Sequence, residues 1–165
     1  QKENYLPNLS LDYLRNDNLE NVEYTYSENK NHKATAQDLI IIWDGAGVGE
    51  ILRAKEGFLS STIAKLQFYD KEEKEYVYHM RHQIESKLKK IPTGMGIPHL
   101  NPNILYNFMI PVPPKDERKA IIDYLNKKTT QIDLLITTIH TNIAKLKELR
   151  KSLIDEVVTG KIKVL

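Results

Sequence analysis

The chain has 165 residues, no cysteine and a formal net charge of +2, a length that suits one compact domain with a modest core plus an extension. Disulfides and thiolate metal sites are excluded, and no apolar run approaches the ~20 residues of a membrane-spanning helix. The polar start, Gln1-Lys2-Glu3-Asn4, lacks the apolar core of a signal peptide, so the expectation is a soluble, cytoplasmic protein with no membrane partner.

Residues 1–36 are polar and Asn-rich, with turn residues at Pro7-Asn8 and Asn16-Asp17-Asn18. A segment around Tyr5 to Leu14 is expected to pair with a sheet, and Glu28 to Lys33 to form an exposed loop. Asp38 to Asp44 is the clearest strand, because its consecutive apolar residues, three of them Ile, suit a strand buried on both faces. Gly45-Ala46-Gly47-Val48-Gly49 turns the chain, Glu50 to Ala54 is the returning strand, and Lys55-Glu56-Gly57 is another turn. Ser61 to Tyr69 predicts a third strand.

Lys71 to Lys90 predicts a helix, with Val77, Met80, Ile84 and Leu88 forming an apolar face and Lys74, Arg81 and Lys87 mostly on other faces. Pro92 to Pro98 is a loop, broken by two prolines and two glycines. Ile104 to Val112 is expected as a further strand, closed by Pro113-Pro114. Beyond Pro114, a first helix opens with Asp116 and Glu117 at its positive end and weakens near Lys127-Lys128. A second helix is expected from Thr130, with Asp133 completing a cap, to Val158, with Gly160 as its stop. Along it Ile132, Leu135, Ile139, Leu146, Leu149 and Leu153 follow a 3-4 spacing, interrupted by Asn142 with Ile143 beside it. Such a rod, ~43 Å long, requires a partner helix along its apolar stripe.

Charge is unevenly spread. Residues 1–115 carry 14 Lys/Arg against 15 Asp/Glu, and residues 116–165 carry 10 against 7. The Gly45–Gly49 segment has the spacing GxGxG rather than GxGxxG and no convincing helix after it, so it reads as a hairpin turn and not a dinucleotide loop. Asn101-Pro102-Asn103-Ile104 lacks the second proline and the aromatic of the amino-methyltransferase tetrapeptide and reads as a turn. The histidines His32, His79, His82, His99 and His140 form no zinc-protease arrangement. No nucleophile elbow or phosphate loop is present, so no catalytic residue, metal site or cofactor is expected. Arg81, Lys87, Lys89 and Lys90 lead into the Thr/Gly loop, where exposed N–H groups beside lysines would suit phosphate contact.

One series of segments is distinctive in its order and spacing. It begins with Asp38 to Gly45 and Ser61-Thr62, and continues through Thr93 to Asn101, Ile110 to Pro114 with Glu117 after it, and Ile121 to Leu125. Ile132-Asp133, Leu146 to Arg150, Ser152-Leu153-Ile154 and Val158 to Ile162 complete it. Over residues 5–164 this series resembles the specificity subunit of Type I restriction–modification enzymes. The resemblance implies an α/β (α+β) target recognition domain with a twisted, mostly β core over residues 1–114, and a conserved spacer helix over 115–165 that pairs antiparallel with another. It implies a non-catalytic module that reads one half-site of a bipartite target in double-stranded DNA. Methyltransferase (modification) and restriction subunits would be its partners. A complete subunit carries two such domains and two helices, whereas this chain matches one of each, so a homodimer through the C-terminal helix is expected. The expected DNA contacts are Lys30, His32, Lys33, Lys65, Arg81, Lys87, Lys89, Lys90, Thr93 and His99. The expected pairing residues are Ile132, Leu135, Ile139, Asn142, Ile143, Leu146, Leu149 and Leu153. The near-neutral charge of residues 1–115 keeps a competing reading open, a helical assembly protein whose globular part binds protein rather than DNA.

Overall fold

The computed structural model describes residues 5–17, 20–29, 32–90 and 96–164. It is a mixed α/β fold with two sheets and a long C-terminal helix. Strand β4 (Leu39–Ile42) is buried at every position, as its unbroken apolar run predicts. Alternation along β4 supplies two core clusters from one strand. Ile41 packs with Val48, Ile51, Val77, Ile84, Leu88 and Leu100. Ile40 and Ile42 pack with Leu9, Ala34, Ala54 and Ile63.

β4 lies at the centre of a three-stranded sheet between β5 (Ile51–Arg53) and β7 (Ile63–Leu66), both antiparallel to it. The Gly45–Gly49 segment is the hairpin turn: Gly49 N–H donates to Ile42 O at 2.8 Å, and Ile42 N–H donates to Glu50 O at 2.9 Å. Gly49 has φ +79°, and a Cβ there would stand 2.9 Å from Leu88 Cβ. Glycine therefore serves both the turn and the close approach of the next helix.

A second sheet has the order β2-β1-β6-β3, built from β1 (Leu6–Leu9), β2 (Tyr24–Thr25), β3 (Lys33–Ala34) and β6 (Gly57–Leu59). Segment 5–14 does pair with a sheet through β1, then forms the short helix α1 (Leu11–Arg15), capped by Ser10. β1 runs parallel to β6, with Asn8 opposite Phe58, and antiparallel to β2. Gly57, expected only as part of a turn, opens β6. A Cβ at Gly57 would stand 2.4 Å from Pro7 O, so the missing side chain is what lets β1 close onto this strand.

Helix α2 (Lys71–Leu88) is capped by Asp70, whose carboxylate accepts from Glu73 N–H at 2.6 Å. Glu73 in turn accepts from Tyr69 N–H at 3.0 Å, so the pair satisfies one donor that the first helical turn would leave orphaned and one just ahead of the cap. Val77, Ile84 and Leu88 are buried and Met80 packs beside them. Glu85 is buried on the same helix, where its carboxylate accepts from Ile51 N–H at 2.9 Å and ties α2 to β5.

The strand expected over Ile104 to Val112 is not formed. Pro102–Tyr106 is a short helix, α3, and residues 107–114 have no regular element. Asn101 accepts from Asn103 N–H at 3.0 Å and Pro102 takes the first helical position, a local start that outweighs the strand preference of the following residues.

The break expected near Lys127-Lys128 is also absent. A single helix, α4, runs Lys115–Val158 over 44 residues, so Thr130 is an interior residue rather than a cap. No proline or glycine interrupts this stretch, and threonine hydroxyls turn back onto the helix: Thr129 donates to Leu125 O at 2.9 Å and Thr137 to Asp133 O at 2.9 Å. The helix ends as expected at Gly160, whose φ is +74° and whose N–H donates to Val157 O at 3.1 Å.

The chain divides into two compact units, residues 1–122 and 123–165. In the first, Arg118 and Ile122 of α4 are buried. Arg118 donates to Asp70 Oδ2 at 3.1 Å, while its Nε is buried without a hydrogen-bond partner. In the second, the apolar side chains of α4 are exposed, Ile132 by 54 % and Leu146 by 64 %.

Candidate nucleic-acid interface

The basic residues singled out in the sequence fall into two groups on the globular unit. His32, Lys33 and Lys65 form the first. Lys33 in β3 pairs with Glu56 at 3.2 Å, and Lys65 in β7 donates to Lys33 O at 2.9 Å, with Asp38 at 4.0 Å. Lys65 therefore fastens β7 to β3 as well as carrying charge. His32 is exposed just ahead of β3, with its N–H donating to Asn29 O at 3.0 Å.

Arg81, Lys87, Lys89, Lys90 and His99 form the second group. Lys87 and Lys89 are exposed at the C-terminal end of α2, and Lys90 just beyond it. Lys87 lies 5.1 Å from the centre of the Phe108 ring, and Lys89 lies 3.9 Å from Glu85. Arg81 sits further back on the helix and donates to Tyr78 O at 2.9 Å. His99 belongs to a segment pinned to the end of β4. Asp44 and His99 form an isolated antiparallel bridge, Gly45 N–H donates to Pro98 O at 2.9 Å, and Leu100 N–H donates to Trp43 O at 2.8 Å. The His99 ring also contacts Asp44 through Nδ1 at 2.5 Å. Leu88 and Leu100 share a core cluster, which places this segment beside the end of α2. Lys30 and Thr93 lie outside the described residues.

Tertiary packing adds Arg53, Lys71 and Lys74 to the expected contacts. Arg53 of β5 makes a two-pronged ion pair with Glu75, at 3.2 and 2.6 Å. That hydrogen-bonded pairing raises the Arg53 pKa above its ordinary value and holds Glu75 below the usual carboxylate range. Arg53 and Arg81 each place their guanidinium carbon 4.1 Å from the centre of the same ring, Tyr78. Next to the start of α2 an open cleft of about 560 Å³ is lined by Lys65, Lys71 and Lys74, with Asp38, Asp70 and the aromatic pair Phe68 and Tyr69. Among the described residues no group of three or more His, Cys, Asp or Glu could hold a metal ion, and no helix is long and apolar enough to cross a membrane.

Residues 1–147 match the family described as the type I restriction modification DNA specificity domain. The chain belongs to that family. Among curated relatives, this specificity domain is 35% identical over 158 residues to the type I restriction enzyme MjaVIII specificity subunit of Methanocaldococcus jannaschii, covering 95% of the chain and 36% of that protein. It is 25% identical over 127 residues to the EcoBI specificity subunit of Escherichia coli, covering 76% of the chain and 27% of that protein. Two solved structures share the fold. A chain from a study of complex assembly and conformational transition in a type I R-M system superposes with a TM-score of 0.67 at 21% identity, over 94% of this chain and 38% of that one. The S subunit of the type I restriction–modification system from M. genitalium superposes with a TM-score of 0.54 at 18% identity, over the same shares. The specificity chain thus spans about a third of the length of the relatives it matches.

Proposed function

We propose that this chain is a sequence-specific DNA-recognition module of a type I restriction–modification system, acting in the cytoplasm and reading one half-site of a bipartite target. The carrying observation is the match of residues 1–147 to the DNA specificity family. The exposed basic side chains around α2 and β3 support it chemically, since lysine and arginine hold phosphates while polar loop side chains read base edges. His32, Lys33, Lys65, Arg81, Lys87, Lys89, Lys90 and His99, with Lys30 and Thr93, are the proposed contacts. The role is recognition rather than catalysis, with methylation and cleavage carried by methyltransferase and restriction subunits that dock on the chain.

The helical unit would pair with a second copy. Ile132, Leu135, Ile139, Leu146, Leu149 and Leu153 are all exposed in the single chain, and a seam of this length is stable only when covered. Antiparallel pairing would set the distance between two reading domains, and Asn142, beside Ile143 in the seam, would restrict the register.

The reading is tested by titrating duplex DNA with the chain and the methyltransferase subunit together. If six to ten phosphates are neutralised, affinity should drop about 10³- to 10⁵-fold between 50 and 200 mM salt. Absent or salt-independent binding would overturn the reading in favour of a protein-binding assembly role. Sedimentation of the chain alone should give a dimer.

A further inference from the structure

The cleft and the stacked arginines lie along one flank of α2. Lys71, Lys74, Tyr78 and Arg81 are spaced three, four and three residues apart, so they form one stripe on the helix. Lys65 lines the same cleft as Lys71 and Lys74, and Arg53 meets the stripe at the Tyr78 ring. The five cations are accompanied by three carboxylates, and each carboxylate is already engaged. Glu75 holds Arg53 at 2.6 Å, Asp38 accepts from Thr35 N–H at 2.9 Å, and Asp70 caps α2 and pairs with Arg118. Among the described residues, no carboxylate makes a direct ion pair with Lys71 or Lys74, although Lys74 acts at longer range on Glu75.

We propose that this flank is the track on which the domain grips the phosphate backbone of duplex DNA. Lys71 and Lys74 are its phosphate contacts, and Tyr78 is the platform that holds Arg53 and Arg81 in place. The inference rests on the DNA-recognition reading above and assigns it a surface.

Three physical features carry it. The ammonium groups of Lys65 and Lys74 are each anchored by one backbone carbonyl, Lys33 O at 2.9 Å and Gln37 O at 2.7 Å; Lys65 also has Asp38 at 4.0 Å, whereas Lys74 keeps two donors for an outside acceptor. Anchoring removes rotamer freedom that a loose surface lysine would lose on binding. Arg53 and Arg81 share one aromatic ring; the Arg53 fork is taken by Glu75, and Arg81 is the planar guanidinium oriented there before any ligand arrives. The stripe from Lys71 to Arg81 covers eleven residues, about 15 Å of helix axis between its ends, which matches roughly four nucleotide steps of one DNA strand.

The test uses random-sequence duplex DNA, the full chain and a saturating amount of methyltransferase subunit. Kd is measured across a salt series for the unmodified chain and for Lys71→Ala/Lys74→Ala. Loss of two phosphate contacts should make the log–log salt slope shallower by about 1.8, with the same change on every duplex sequence. Tyr78→Ala should weaken binding, and Tyr78→Phe, which keeps the ring and loses only the hydroxyl that also meets Arg53, should restore most of it. Should the alanine pair disturb folding by circular dichroism, Lys71→Gln/Lys74→Gln replaces it with the same expected slope. An unmodified chain that binds with a steep slope, beside a double variant of equal slope, overturns the track and leaves the DNA reading standing. An unmodified chain with no salt-dependent binding overturns both. Weakened docking of the methyltransferase subunit with an unchanged DNA slope also overturns the track.

Discussion

Residues 1–122 and 123–165 dispose of their apolar side chains in opposite ways. In the first unit Leu39, Ile40, Ile41 and Leu9 are fully buried, and every regular element before α4 except the two-residue β2 carries at least one buried or half-buried core contact. In the second, Ile132, Leu135, Ile139, Leu146 and Leu149 remain at least half exposed. The first unit therefore completes its core within its own chain. The second carries an equally apolar stripe with nothing of its own to cover it, and an isolated helix gains little stability from propensity alone. The contrast separates a core that the chain covers itself from an apolar stripe that it leaves exposed.

Matched core truncations should divide the two units most sharply. Ile41→Ala removes packing on the side of β4 that faces α2 and should lower unfolding stability by about 2–5 kcal/mol, independent of protein concentration. Leu146→Ala should leave that transition in place and instead weaken self-association roughly ten- to a hundred-fold, read by sedimentation equilibrium. Equal effects of both changes on the concentration-independent transition would erase the distinction.

The polar tie between α2 and β5 gives a smaller effect within the first unit. Glu85→Ala strands the buried Ile51 N–H and should cost about 1–3 kcal/mol in chemical denaturation. Glu85→Gln, which keeps an acceptor oxygen, should recover much of it. Asn142→Leu acts on the other side of the comparison. It should strengthen helix pairing while loosening its register, seen as a tighter dimer with more than one set of cross-linking distances between copies. A dimer of unchanged affinity and alignment would remove Asn142 from the seam.

The smallest expected effect is a pH dependence confined to the globular unit. Glu75 is held below its ordinary pKa by Arg53, so its contribution is fully present above the unfolded carboxylate range of about 4.3 and is lost as pH falls through the lower folded value. Denaturation midpoints compared at neutral and acid pH should therefore differ less in Glu75→Gln than in the unmodified chain. The pair is partly solvated, which keeps the difference modest.

Much of this architecture was legible in the order of residues. The Asp38–Ala54 hairpin, the α2 face at Val77, Ile84 and Leu88, and the stripe from Ile132 to Leu153 all follow from local periodicity and a glycine turn. The two errors have local explanations as well. Asn101 and Pro102 begin a short helix inside an apparent strand, and the lysines and threonines near residue 130 suggest a break that nothing there enforces. The proposed interface was only half legible. Arg81 and Lys65 were picked out by charge, whereas Lys71, Lys74, Arg53 and Tyr78 carried no pattern that distinguished them from a solvated face.

The sequence by itself determined the family through the order of its segments along the chain, and the central buried strand, the amphipathic helices and the helix-ending glycine because each of these is written in neighbours fewer than about eight residues apart, within the reach of strand and helix periods. Tertiary structure alone decided the parallel pairing of β1 with β6, the Glu85 carboxylate on Ile51 N–H, and the meeting of Arg53 and Arg81 on Tyr78. Those contacts bring together residues far apart in the chain, and the entropy of closing such loops is repaid only when the whole core forms around them.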